Sequence, residues 1–122
     1  MRTIMEFESL EGLISKLERD KMPEVFCRSR MKVTEKQEYL PYVEITAVKH
    51  GGYSDDFMVY TFQELLGAPV NFTKMEGETD ESYVKRRSAV QNGWNKLFDE
   101  KYVRALQGVK GLRVEIGATY VQ

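Results

Sequence analysis

The feature that most limits what this chain can fold into is the stretch at 79–107, TDESYVKRRSAVQNGWNKLFDEKYVRALQ. Tyr83, Val90, Trp94, Leu97, Phe98, Ala105 and Leu106 recur there at three- and four-residue steps. That spacing lines up one apolar face of an amphipathic helix. Thr79 or Asp80 can cap its start, where the first backbone N–H groups need an acceptor. Gly108 stands where the helix should stop. A continuous helix of that length is roughly 40 Å long, whereas a domain of this size is about 35 Å across. The helix is therefore expected either to break, at Asn92-Gly93 or near Asp99, or to protrude and pack on a second copy.

The rest of the chain supplies a sheet for this helix to cover. A short strand is expected at 2–7. Ser9 caps a first helix with Leu10, Leu13, Ile14 and Leu17 on one face, and Pro23 is expected to end it. Residues 25–34 alternate: Val25, Cys27, Met31 and Val33 on one side, Arg28, Arg30 and Lys32 on the other. A polar turn at 35–38 leads to a strand at 39–50. Val43, Ile45 and Ala47 lie opposite Tyr42, Glu44, Thr46 and Val48, and Pro41 belongs near the strand start.

A loop at 51–56 then precedes a third strand at 57–62. Thr61-Phe62-Gln63-Glu64 has capping-box spacing, which predicts one helical turn around Leu65 and Leu66, closed by Gly67 and Pro69. A loop follows at 71–78, and a last strand is expected at 112–121. The expected order is β-α-β-β-β-α-β with that extra turn after the meander. This is an α+β fold: a mainly antiparallel sheet of about five strands with one short and one long helix packed on one face.

With 122 residues the chain is read as a single domain, 1–122, long enough for a core without disulfide or metal staples. The net charge of −1 leaves no global field to draw it onto nucleic acid or membrane. No run approaches the length of a membrane span, and the acidic, interrupted N-terminus does not fit a signal peptide. The single cysteine, Cys27, fits a reducing, cytoplasmic setting and is expected in the core.

Several chemistries lack their residues. One histidine, His50, and one cysteine cannot build a usual zinc site within one chain. There is no phosphate-binding GxxxxGK[ST] or GxGxxG motif. The acids at 76, 78, 80 and 81 lack the order of a calcium loop and read as a solvated helix start. The strand at 39–50 carries Ala47 where a metal-dependent nuclease would need an acid. Residues 49–57 lack the basic-Gly-aromatic pattern of RNA-binding sheets. No metal and no cofactor is expected.

What remains is surface. Arg28, Arg30 and Lys32 share one strand face, with Glu44 and Tyr42 expected beside them. Arginines there can grip an anionic group and an aromatic ring can stack. An open, solvated sheet face explains the same charges without a ligand. Lys85 and Arg86 form a second basic cluster on the first turns of the long helix, where ion pairs with the acids at 76–81 are the simpler reading. Arg87 is expected half-buried or paired.

These residues describe a small non-enzymatic intracellular module, binding or inhibitory. It would engage a protein partner or an anionic small molecule such as a nucleotide, with no membrane, as a possible homodimer through the long helix or the C-terminal strand. The alternative is a small oligomeric enzyme whose site, shared between subunits, uses His50, Asp55, Asp56 or Glu44.

Overall fold

The computed structural model describes residues 2–51 and 56–118. The elements are β1 (Arg2–Glu6), α1 (Leu10–Arg19), β2 (Glu24–Val33), β3 (Tyr39–His50), β4 (Phe57–Leu65), α2 (Asp80–Leu97), a π-helical turn (Phe98–Val103), α3 (Arg104–Gln107) and β5 (Arg113–Ala118). Five strands form one sheet in the order β1-β4-β3-β2-β5.

The α+β class and the five-strand sheet are as expected, but the sheet is mixed rather than mainly antiparallel. β1 lies parallel to β4 and β5 parallel to β2, while β3 is antiparallel to both its neighbours. Four strands thus run one way and β3 alone runs the other. The cause lies in the connections. A tight turn joins only antiparallel neighbours, whereas a crossover containing a helix can bring the chain back to the same end of the sheet. The α1 crossover carries β1 past β4 and β3 to β2. The α2 crossover carries β4 past β3 and β2 to β5.

The order of elements also differs from expectation after the meander. The predicted helical turn around Leu65 and Leu66 is absent, because β4 continues through Leu65. Gln63 pairs with Glu44, Glu64 with Val43 and Leu65 with Tyr42. The ladder satisfies the backbone groups that a capping box would otherwise serve. Gly67 follows, and a Cβ there would come within 3.1 Å of the Trp94 indole nitrogen, so the missing side chain makes room for the ring.

Both crossovers bury their apolar stripes against one face. Leu10, Leu13 and Leu17 of α1 join Trp94, Phe98, Tyr102 and Leu106 over Val25, Cys27, Val43, Ile45, Tyr60 and Phe62. Ser9 caps α1 by accepting from the Gly12 N–H at 3.0 Å. The helix ends at Arg19, ahead of Pro23. Its terminus is set by Asp20 and by Lys21 in the left-handed region at φ 51°.

The long helix neither breaks at Gly93 nor ends early. It starts at the Thr79 cap and runs to Gln107, and its irregularity falls at Phe98–Val103, around the other expected weak point, Asp99, as a widened turn rather than a break. Trp94, Phe98, Tyr102 and Leu106 are spaced by four. At 3.6 residues per turn each step of four rotates the face by about 40°. One wider turn, marked by the Arg104 N–H donating to the Asp99 carbonyl five residues back, turns the face back onto the sheet.

Candidate functional site

The opposite sheet face is covered by neither helix layer, and it holds the residues singled out from the sequence. Cross-strand registry places Gln63, Glu44 and Arg28 side by side. Leu65, Tyr42 and Arg30 form the next row, and Leu40 and Lys32 the one after. The expected set of Arg28, Arg30, Lys32, Tyr42 and Glu44 is therefore brought together on the adjacent strands β2 and β3.

Its members are held in place rather than loose. The Arg30 guanidinium donates to Glu44 at 3.1 Å, and the Gln63 amide donates to the other oxygen of Glu44 at 2.8 Å. Lys32 sits 4.9 Å from the centre of the Tyr42 ring, and the Arg28 guanidinium 5.4 Å from that of Phe26. Cations over ring faces are attracted by the ring quadrupole and lose conformational freedom. Glu44 neutralises one of three positive charges.

Toward the other end, the same face becomes apolar. Ile4 and Val48 are exposed, and Val59 and Phe26 half-buried. A groove of about 750 Å³ opens there, lined by Pro23, Glu24, Phe26, Val48, His50 and Arg113.

Lys85 and Arg86 are not part of this surface. Arg86 grips Glu78 through two nitrogens, at 2.9 and 3.0 Å, and donates to the Thr73 carbonyl at 3.1 Å. That grip holds the Glu78 carboxyl at about 2, with the Met75 N–H as the next contributor. Lys85 pairs with Glu81, 3.3 Å away on the same exposed helix turn. Arg87 is half-buried over the Phe72 ring at 5.3 Å. Arg86, with Arg87 over Phe72, holds the loop at 72–78 to α2.

Cys27 is fully buried and burial pushes its thiol up to about 12, so it behaves as a core residue. Of the four residues named for an enzymatic site, Asp55 lies outside the described residues. Glu44 sits on the open face six residues along β3 from His50, about 20 Å away at strand rise. His50 and Asp56 do share a cavity rim.

That cavity is a second candidate, and of the residues expected from the sequence to form a site only His50 and Asp56 line it. It has a volume of about 530 Å³ and opens on the helix side of the sheet, beside the C-terminal end of α1. Asp20 lines it and gathers three other lining residues around its carboxylate. The Tyr60 hydroxyl donates to Asp20, Lys16 lies 3.3 Å from the carboxylate, and Lys49 lies 3.8 Å away. The Tyr60 hydrogen bond, and then Lys16, hold the Asp20 carboxyl below its ordinary range. Burial, reinforced by Asp20, pushes the Tyr60 phenol up to about 12. Lys16 precedes Asp20 by one helical turn, but no periodicity could have announced Tyr60 or Lys49, which arrive from β4 and β3.

Among the described residues, no group of three or more His, Cys, Asp or Glu side chains is placed to hold a metal ion. Nor is any helix long and apolar enough to cross a membrane. No protein-family model, curated protein or solved structure matches the chain.

Proposed function

We propose that this chain is a small non-enzymatic intracellular binding module that docks a protein partner on its helix-free sheet face. The observation that carries the reading is the composition of that face. Arg28, Arg30, Lys32 and Tyr42 lie together and continue into the exposed apolar residues Ile4 and Val48. Arginine and aromatic residues beside apolar ones are what protein interfaces concentrate. A broad sheet offers a large flat contact area, which suits a folded partner better than a nucleotide. The cations ask for acidic residues on that partner, and Glu44, already held by Arg30 and Gln63, sets their orientation. A module of this kind inhibits when the surface it covers is the partner's own working surface.

The double charge reversal Arg28→Glu/Lys32→Glu tests the reading. Both side chains are exposed, so the unfolding free energy should change by less than about 1 kcal/mol. Partner recovery from lysate, compared side by side with the wild type, should fall to background. Recovery unchanged by the reversal overturns the proposal. Sedimentation of the purified chain distinguishes a foreign partner from a second copy on the same face.

A further inference from the structure

The cavity beneath the C-terminal end of α1 lies on the other side of the sheet from the proposed docking face and can be occupied independently of it. We propose that it is a binding site for a small organic monoanion with an apolar body, a carboxylate on an aryl or alkyl chain.

The volume of about 530 Å³ falls within the range of ligand-sized clefts. The lining divides into two parts. Met5, Met58 and Phe57 provide an apolar wall, with Thr3 and the ring of Tyr60 beside it. Methionines adapt to irregular apolar ligands and favour contact with aromatic rings. The other part is the cationic pair. Lys16 is anchored on Asp20 at 3.3 Å, but Lys49, at 3.8 Å, stands beyond hydrogen-bond length from it. Half of the Lys49 side chain is exposed at the rim. An ammonium has three donors. Lys16 uses part of its set on Asp20, and Lys49 keeps its own for an incoming acceptor.

Charge selects the ligand class. Lys16 and Lys49 face Asp20 and Asp56, so the lining balances in sum, and the selecting charge is the local one of the half-exposed Lys49 ammonium, which a single carboxylate can pair with. Asp20 is tied by the buried Tyr60 hydroxyl and cannot swing away. A dianion such as a phosphate monoester would meet this fixed carboxylate, with Asp56 adding a second negative charge at the rim. A neutral apolar molecule would leave Lys49 without an acceptor. Removing that acceptor loses a charge-assisted hydrogen bond, the stronger kind.

The site is testable with three probes on the intact chain. 4-Phenylbutyrate has both the carboxylate and the apolar body, 4-phenylbutanol lacks the charge, and acetate lacks the body. The methyl signals of Met5 and Met58, assigned by ¹³C-methyl labelling, report occupancy. Phenylbutyrate should shift both saturably, and the other two should bind at least about tenfold more weakly. Lys49→Met keeps the stem and removes the charge. It should weaken phenylbutyrate by about tenfold, leave phenylbutanol unchanged, and leave the ligand-free methyl spectrum close to wild type apart from the new methyl. Arg28→Glu, on the opposite face, should change nothing. Equal binding of phenylbutanol, full phenylbutyrate affinity in Lys49→Met, loss of binding in Arg28→Glu, or no saturable shift of the two methionines each overturns the proposal.

Discussion

Tyr60 and Tyr102 show how single side chains join the two layers. Each is almost wholly buried, and each hydroxyl donates to a carboxylate: Tyr60 to Asp20 at the end of α1, Tyr102 to Glu64 at the end of β4. Each carboxylate also meets a lysine, Lys16 at 3.3 Å and Lys101 at 2.6 Å. A buried phenol needs such a partner, because an unsatisfied hydroxyl costs about 1–3 kcal/mol. One residue has no such constraint. Gly93 sits inside α2 with nothing within 4 Å of where a Cβ would be. Glycine in a helix interior costs about 1 kcal/mol relative to alanine, chiefly through backbone entropy. Gly93→Ala should therefore stabilise the protein by about 1 kcal/mol, read from the denaturation midpoint at unchanged m-value. A destabilised variant would show that Gly93 serves something outside the folded monomer.

The helical segment from 80 to 107 differs along its length. Trp94, Phe98, Tyr102, Val103 and Leu106 are buried, while the turns before Trp94 expose Val84 and reach the body through Tyr83 and Arg86. The π turn reconciles the four-residue spacing with a straight sheet face. Removing one exposed residue inside that turn, Glu100, brings the buried positions to the i, i+4, i+7, i+8 spacing of an ordinary helix. Inserting one alanine after Glu100 instead carries Tyr102, Val103 and Leu106 about 100° further around the helix, away from Trp94 and Phe98. The Glu100 deletion is expected to keep a cooperative thermal transition and the alanine insertion to lose at least about 2 kcal/mol more, the lower range for displacing a large core side chain. Equal losses in the two variants would mean that the π turn does not serve the register.

Across the whole molecule, the layers and the loop are held by carboxylates whose folded pKa values lie below their ordinary ones. Asp20 ties α1 to β4, Glu64 ties β4 to the π turn, and Glu78 ties the loop at 72–78 to α2. Hydrogen bonds from Tyr60, from Lys101 and from Arg86, respectively, are the leading causes. A depressed carboxylate pKa means that the unfolded chain takes up the proton first. The stabilisation is complete above the ordinary value, 4.5 for Glu78, and is lost as pH falls through the folded value of about 2. The thermal midpoint should be flat above about pH 5 and fall below it. Glu64→Gln should start from a lower midpoint and show a shallower acid slope by circular dichroism. A wild-type midpoint that rises on acidification would contradict these assignments.

Much of the local structure was legible in the residues themselves. The Ser9 and Thr79 caps, the alternation through β2 and β3, the core side of Cys27 and the shared face of Arg28, Arg30 and Lys32 depend only on backbone period and neighbouring groups. Those are set within a few residues. Strand direction was not legible, because alternation reads the same in both directions and β1 and β5 find parallel partners through long crossovers. Thr61-Phe62-Gln63-Glu64 became strand because pairing with β3 satisfied its backbone. Phe98–Val103 widened because its buried side chains had to stay on the sheet. The cavity joins Lys16 and Asp20 to Lys49, Met58 and Tyr60 from three elements, so no spacing along the chain could reveal it. The sequence by itself determined the elements and their inner faces, since period and capping are local. Only the tertiary structure decided the sheet order, the π turn and the lysine-rimmed cavity, since each depends on residues that meet only after the crossovers close.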